Sequence, residues 1–190
     1  MEKETIDSAI FKAVEVFKSG GIVIYPTDTI WGIGCDASDE QSCVKINEIK
    51  NRPATKSFIV LVDSVQMLER IVPEIPEVCY QLIDTATRPL TIIYENPKGL
   101  AKSLLAEDGS VGIRVTNDPI CKKMIRSLRK PIVSTSVNIS GEASATEFSD
   151  ISNQLKSKVD YVFPDTGLSS KTPSQIIKVG LNSSVQIIRN

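Results

Sequence analysis

Histidine is missing from this chain of 190 residues. That absence removes the imidazole general base, the Ser-His and Cys-His nucleophile pairs and every imidazole metal site. Chemistry here must come from positioning and electrostatics, or from carboxylates and bound ions. Phosphoryl and adenylyl transfer suit that restriction, because there the protein mainly holds phosphates and metal ions in place. Net charge is also small: 22 Lys and Arg against 23 Asp and Glu give −1, which argues against a chain-wide electrostatic grip on nucleic acid. The four cysteines, Cys35, Cys43, Cys79 and Cys121, form no CxxC pair and read as small buried side chains. No run approaches the roughly 20 apolar residues of a membrane span, and residues 1–7 carry no apolar leader, so the expected location is the cytoplasm. No Walker A or GxGxxG pattern, internal repeat or low-complexity tract is present.

What remains is 41% hydrophobic, enough for one domain spanning residues 1–190. Ile6, Ala9, Ile10, Ala13, Val14 and Phe17 recur at helical spacing, and Gly20 and Gly21 end that helix. IVIY at 22–25 reads as a buried strand stopped by Pro26, followed by a loop holding Gly32 and Gly34. Ser38 and Gln41 have capping-box spacing and open a second helix running to about Lys50. FIVLV at 58–62 is an apolar strand of the kind covered on both faces. Helical turns are expected around Pro73 and Pro76, strands at 90–94 and 111–115, and a helix over 118–128 with Asp118 as cap and Pro119 behind it. A strand begins at 131, residues 143–149 read as a loop, and late strands fall at 159–163, 175–179 and 185–188. The order predicts an α/β protein built on a mixed sheet.

Three segments can carry chemistry. YPTDTIWGIG at 25–34 places Thr27, Asp28 and Thr29 after a strand, where sheet ligands tend to bind, with glycines that allow close backbone approach. KNRPATK at 50–56 gathers Lys50, Arg52 and Lys56 at a strand entrance, the makings of a phosphate site; the plain alternative is a solvated basic turn. STSVNISG at 134–141 crowds hydroxyls and an amide at a strand end, suited to phosphate, ribose or an amino acid, or else to a hydrogen-bonded turn. SVGIRV at 110–115 sets Ser110, Gly112 and Arg114 on one strand face, where an arginine among apolar residues asks for an anion or must reach solvent from an edge. Arg189 likewise ends the run VQII. Lys122, Lys123, Arg126, Arg129 and Lys130 read as a solvated helix face; the sharper alternative is a tRNA-contacting patch.

The three segments, in the order YPTDTIWGIGCDA, KNRPATKSFIVLV and PIVSTSVNISGEAS, resemble the YrdC/Sua5 family of threonylcarbamoyl-adenylate synthases. GIRV at 112–115 and PSQIIKV at 173–179 extend the likeness over nearly the whole chain. The resemblance implies a twisted sheet of parallel and antiparallel strands flanked by helices, with a large central basic cleft, in the short form that lacks the C-terminal Sua5 domain. It implies that L-threonine, bicarbonate or CO₂, and ATP give threonylcarbamoyl-AMP and pyrophosphate. A partner transferase then modifies the adenosine beside the anticodon of certain tRNAs. It makes Lys50 and Arg52 the candidate catalytic residues, holding ATP phosphates with Lys56 nearby. Ser110, Ser136, Asn138, Ser144 and Arg189 are expected at ATP. Thr29, Arg114, Ser134 and Ser174 are expected at L-threonine. Mg²⁺ is expected with the nucleotide, and no protein metal site is expected. Two rivals stay open: an RNA-binding protein of the same fold without synthase activity, and a paralogue acting on another carbamoyl or adenylyl substrate.

Overall fold

The structure is a computed structural model, and it describes residues 4–51, 58–167, 172–180 and 184–190. Helix α1 (Ile6–Lys18) buries Ala9, Ile10, Ala13, Val14 and Phe17, the stripe set by the 3–4 spacing. Thr5 caps it, its hydroxyl accepting from the Ser8 amide at 3.3 Å. Strand β1 (Val23–Tyr25) turns through residues 26–31 into β2 (Gly32–Gly34), and α2 (Glu40–Ile49) follows. Beyond residue 57 come β3 (Ile59–Val62), α3 (Val65–Ile71), α4 (Glu77–Thr85), β4 (Leu90–Tyr94) and β5 (Val111–Val115). The chain continues through α5 (Pro119–Leu128), β6 (Ile132–Ser136), α6 (Asn153–Lys156), β7 (Tyr161–Val162), β8 (Gln175–Val179) and β9 (Val185–Arg189).

The described strands form one sheet in the order β7-β1-β2-β6-β3-β5-β4-β8-β9. It is mixed, as expected. β1 pairs with β7, β3 with β5 and β4 with β8 in parallel, and the remaining neighbours run antiparallel. The strand period of two gives the sheet two different faces. Val60, Ile92, Ile113 and Val133 point to a packed core, with at most 2% of each exposed. Helix α5 covers β3 and packs against α1. Its cap is the expected one: Asp118 accepts from the Cys121 amide at 2.7 Å, with Pro119 in the first helical position. The four cysteines are buried and free. Among the described residues, no helix is long and apolar enough to cross a membrane.

Three local expectations change. Gly32–Gly34 is a strand rather than a loop, because the missing side chain lets β2 press against β6: a Cβ on Gly34 would lie 1.8 Å from the Val133 carbonyl oxygen. Ser38 does not cap α2. Its amide and hydroxyl both turn back to Asp36 Oδ1, and Asp39 caps the helix by accepting from the Gln41 amide at 3.1 Å. The strand expected over 159–163 shortens to Tyr161–Val162.

Gly34→Ala is therefore expected to cost about 3 kcal/mol or more, because the obstruction is the backbone of a neighbouring strand and not a side chain that can rotate away. Urea denaturation of the variant measures it; a loss below 1 kcal/mol, taking about 1 as the lower end of overpacking costs, means the strands are not so closely packed.

Candidate functional site

The face of the sheet opposite the helix-covered core bears the other members of each alternation. Ser134 and Ser136 of β6 lie beside Ile59 of β3, then Gly112 and Arg114 of β5, and then Thr91 and Ile93 of β4. These residues line a cleft of about 300 Å³. Two glycines keep its floor low. A Cβ on Gly32 would meet Ser134 Oγ at 2.9 Å, and one on Gly112 would meet Thr91 Cγ2 at 3.1 Å. Thr29 and Trp31, from the segment between β1 and β2, form one wall; Ser144 contributes at the β6 side, and Ser174 and Arg189 close the other end.

Arg114 is the strongest electrostatic feature of the cleft. Its side chain is only 3% exposed, and its partner Asp28 is 17% exposed; Arg114 Nη2 lies 3.1 Å from Asp28 Oδ1. The same Nη2 donates to Thr29 Oγ1 at 3.4 Å. Thr29 is itself held by Thr27, whose hydroxyl donates to the Ile30 carbonyl and takes hydrogen bonds from the Thr29 amide and hydroxyl. Asp28 is steadied from behind by the Thr116 hydroxyl at 3.3 Å. Arg114 Nε is buried and, among the described residues, has no hydrogen-bond partner. An unpaired buried guanidinium donor is costly, so the hydrogen bonding of Arg114 is incomplete among the described residues.

Arg189 reaches back from β9. Its Nε and Nη2 donate to the Ser174 carbonyl at 3.0 and 2.8 Å, and Nη2 reaches Ser174 Oγ at 3.2 Å. Ser174 Oγ and Thr91 Oγ1 are 2.9 Å apart. Burial, and then the neighbouring Arg114 cation, lower the Arg189 pKa from its ordinary value. Among the described lining residues, Arg114 and Arg189 are the charged ones, so the described part of the cleft is cationic at two points.

Thus Thr29, Arg114, Ser134, Ser136, Ser144, Ser174 and Arg189, expected from sequence, converge on one cleft. Three other expected residues lie elsewhere. Ser110 is buried at the start of β5, its hydroxyl donating to Asp108 Oδ1 at 2.5 Å, outside the cleft lining. Lys50 is 2% exposed and does not line the cleft. Its ammonium donates to the Ser136 carbonyl, to the Asn138 carbonyl at 2.8 Å and to Asn138 Oδ1 at 3.3 Å. At the C-terminal end of α2, its ammonium meets the carbonyls of Ser136, itself a cleft residue, and of Asn138. Asn138 belongs to that turn and to Lys50. Arg52 and Lys56 lie outside the described residues. Thr91, Trp31 and Gly112 contribute more to the cleft than sequence reasoning assigned; the signal for Thr91 was a lone polar residue in the strand LTIIY.

Three of the five cations near α5 have acid partners. Lys122 donates to Asn117, and Lys123, Arg126 and Lys130 bond Asp7, Asp63 and Asp36 at 2.7, 3.2 and 2.6 Å. Acid neighbours answer most of the positive charge of this cluster.

The family model for Sua5, YciO and YrdC proteins, described as "Telomere recombination", matches residues 15–190. The chain belongs to this Sua5/YciO/YrdC family. Threonylcarbamoyl-AMP synthase of Acinetobacter baumannii is 32% identical over 179 residues, covering 90% of this chain and 94% of the relative. The enzyme of the same name from Psychromonas ingrahamii is 34% identical over 176 residues, covering 89% and 91%. Among solved structures, P. abyssi Sua5 complexed with L-threonine aligns with a TM-score of 0.85 at 27% identity over 94% of this chain. This family member spans about half of that longer protein, 52% of its length. E. coli YciO, 22% identical, has a TM-score of 0.82 over all of this chain and 91% of its own, a likeness of fold.

Trp31 is the single tryptophan, and it lies in the cleft wall tilted against Phe148 at 5.2 Å between ring centroids. Its emission is expected to change saturably as a ligand enters the cleft; binding detected by calorimetry without any change in emission places that ligand elsewhere.

Proposed function

We propose that the chain is an L-threonylcarbamoyl-AMP synthase, forming threonylcarbamoyl-AMP and pyrophosphate from L-threonine, bicarbonate or CO₂, and ATP. The product would serve the threonylcarbamoylation of tRNA adenosine by a partner transferase in the cytoplasm. The observation that carries this reading is the unpartnered Arg114 Nε in the cleft. Asp28 and Thr29 engage one end of the guanidinium, and the edge left over suits the carboxylate of an amino acid. Names among the relatives, and the threonine bound to P. abyssi Sua5, supply the amino acid. Thr29, Ser134 and Ser174 would surround it.

The chemistry asks little of a base. The threonine amine adds to CO₂ and loses a proton, giving a carbamate that is already anionic. A carbamate oxygen attacks the α-phosphorus, the bond to the bridging oxygen breaks, and pyrophosphate leaves with the electron pair. A chain without histidine can support this, because the barrier lies in bringing anions together, which cations and aligned donors lower. Arg189 is proposed for the nucleotide end together with Ser136 and Ser144; Arg52 and Lys56 are proposed for the phosphates on family likeness. Ser110, tied to Asp108, is the member of the expected ATP set with least support. Among the described residues no three His, Cys, Asp or Glu side chains gather as a metal site, so Mg²⁺ would travel with ATP as part of the substrate, held mainly by its phosphates. The RNA-binding alternative draws less support, because three of the five cations near α5 already have acid partners.

Pyrophosphate release from ATP is expected to depend on both L-threonine and bicarbonate. In Arg114→Gln, the apparent L-threonine affinity should fall at least about 30-fold, roughly the 2 kcal/mol that follows loss of one partner of a buried charge pair. Pyrophosphate release that ignores L-threonine removes the assignment of substrate. Wild-type threonine affinity in Arg114→Gln removes the assignment of the carboxylate to Arg114.

A further inference from the structure

The Lys50 ammonium is held by oxygens at the end of β6. A buried ammonium is costly unless its donors are met, and among the described residues this one meets the Ser136 and Asn138 carbonyls and Asn138 Oδ1, at the end of β6 and in the turn after it. The link is tied twice, since the Ser140 amide donates back to the Lys50 carbonyl at 2.9 Å. Lys50 therefore fastens the end of α2 to residues 136–140 by both its side chain and its backbone.

Asn138 carries this link on to the cleft. Asn138 Nδ2 donates to the Ile139 carbonyl at 3.0 Å and to the Glu142 carbonyl at 2.8 Å. Those two bonds set the orientation of the amide, with Oδ1 facing Lys50 and Ser136. Asn138 Oδ1 accepts from Lys50 Nζ at 3.3 Å and from Ser136 Oγ at 2.5 Å. A flipped amide would aim N–H donors at both an ammonium and a hydroxyl proton, so the assignment is chemically determined. Ser136 has one hydroxyl proton, and it is committed to Asn138. Toward the cleft, which Ser136 lines, its oxygen can only accept. A phosphate oxygen has no proton to give it; a hydroxyl or N–H of the bound molecule does.

We propose that Lys50 is a positioning residue: its buried ammonium fixes the 136–140 turn and, through Asn138, presents the Ser136 oxygen to the cleft as an acceptor for a ligand hydroxyl or N–H. This differs from the role of phosphate ligand that family likeness gives to Lys50. It draws on the synthase reading only for the kinetic part of its test.

The deciding experiment is acylation of lysines in the native full chain, followed by mass spectrometry, with and without MgATP. Lys50 is expected to react at least about tenfold more slowly than Lys18, whose side chain is 53% exposed, in both conditions, because a buried amine reacts only through local opening. Reaction of Lys50 at the rate of Lys18 in the free protein overturns the proposal, whether or not MgATP then protects it. No turnover is needed, so a failed synthase assignment leaves this result readable. The second arm compares Lys50→Met with the parent in the pyrophosphate assay across ionic strength. A positioning role predicts a kcat at least about tenfold lower with an unchanged salt dependence of the ATP KM, since no screened contact with phosphate has been removed. A raised ATP KM with a shallower salt dependence, or kinetics identical to the parent, overturns it; a variant that does not fold leaves the decision to the acylation result.

Discussion

The close contact between β2 and β6 is the constraint on which the rest of the molecule depends. Strand β6 joins β2 on one side and β3 on the other, so it is the seam between the β7-β1-β2 part of the sheet and the remainder. At that seam Gly34 leaves no room for a side chain against the Val133 carbonyl, and the buried Tyr25 hydroxyl donates to the same oxygen at 2.6 Å. The Val133 amide in turn donates to the Cys35 carbonyl at 2.9 Å. The backbone of one residue, Val133, thus locks three segments in register. Every cleft residue on β6 and in the 26–31 segment inherits its place from that lock.

The site is a consequence of strand alternation under this constraint. Once register is set, Ser134, Ser136, Gly112, Arg114, Thr91 and Ile93 must share a face, and their neighbours must enter the core. Polar groups then accumulate on a surface that is largely withdrawn from water, and each needs a partner. Most find one within the protein. Among the described residues Arg114 Nε does not, and under the proposed function an acceptor of the substrate would complete the network there.

Much of this could be read in advance from particular residues. The helical stripe of α1, the Asp118-Pro119 start of α5 and the apolar run of β3 have short-range causes, in periodicity and capping, and appear where the sequence predicts them. Seven of the residues expected at the ligand share the cleft. The departures have longer-range causes. Gly32 and Gly34 look like loop glycines until a second strand lies against them. Ser38 has the spacing of a cap, but Asp36 draws its amide and hydroxyl away and Asp39 takes the capping role. The basic cluster of α5 looks free until Asp7, Asp36 and Asp63 arrive from other elements.

The sequence alone determined the class of chemistry. Without histidine and with little net charge, it leaves electrostatic handling of anions, and the order of its three polar segments identifies the family; both follow from residue types and spacing, which need no third dimension. Tertiary structure alone decided what each cation does. Arg114, Arg189 and Lys50 are all cations near strand ends or helix ends in the sequence. Arg114 keeps an unmet donor in the cleft, Arg189 folds back on Ser174, and Lys50 is enclosed by carbonyl oxygens. The reason is physical: the role of a charge depends on which oxygens lie within about 3 Å of it, and those oxygens belong to residues far away in the chain.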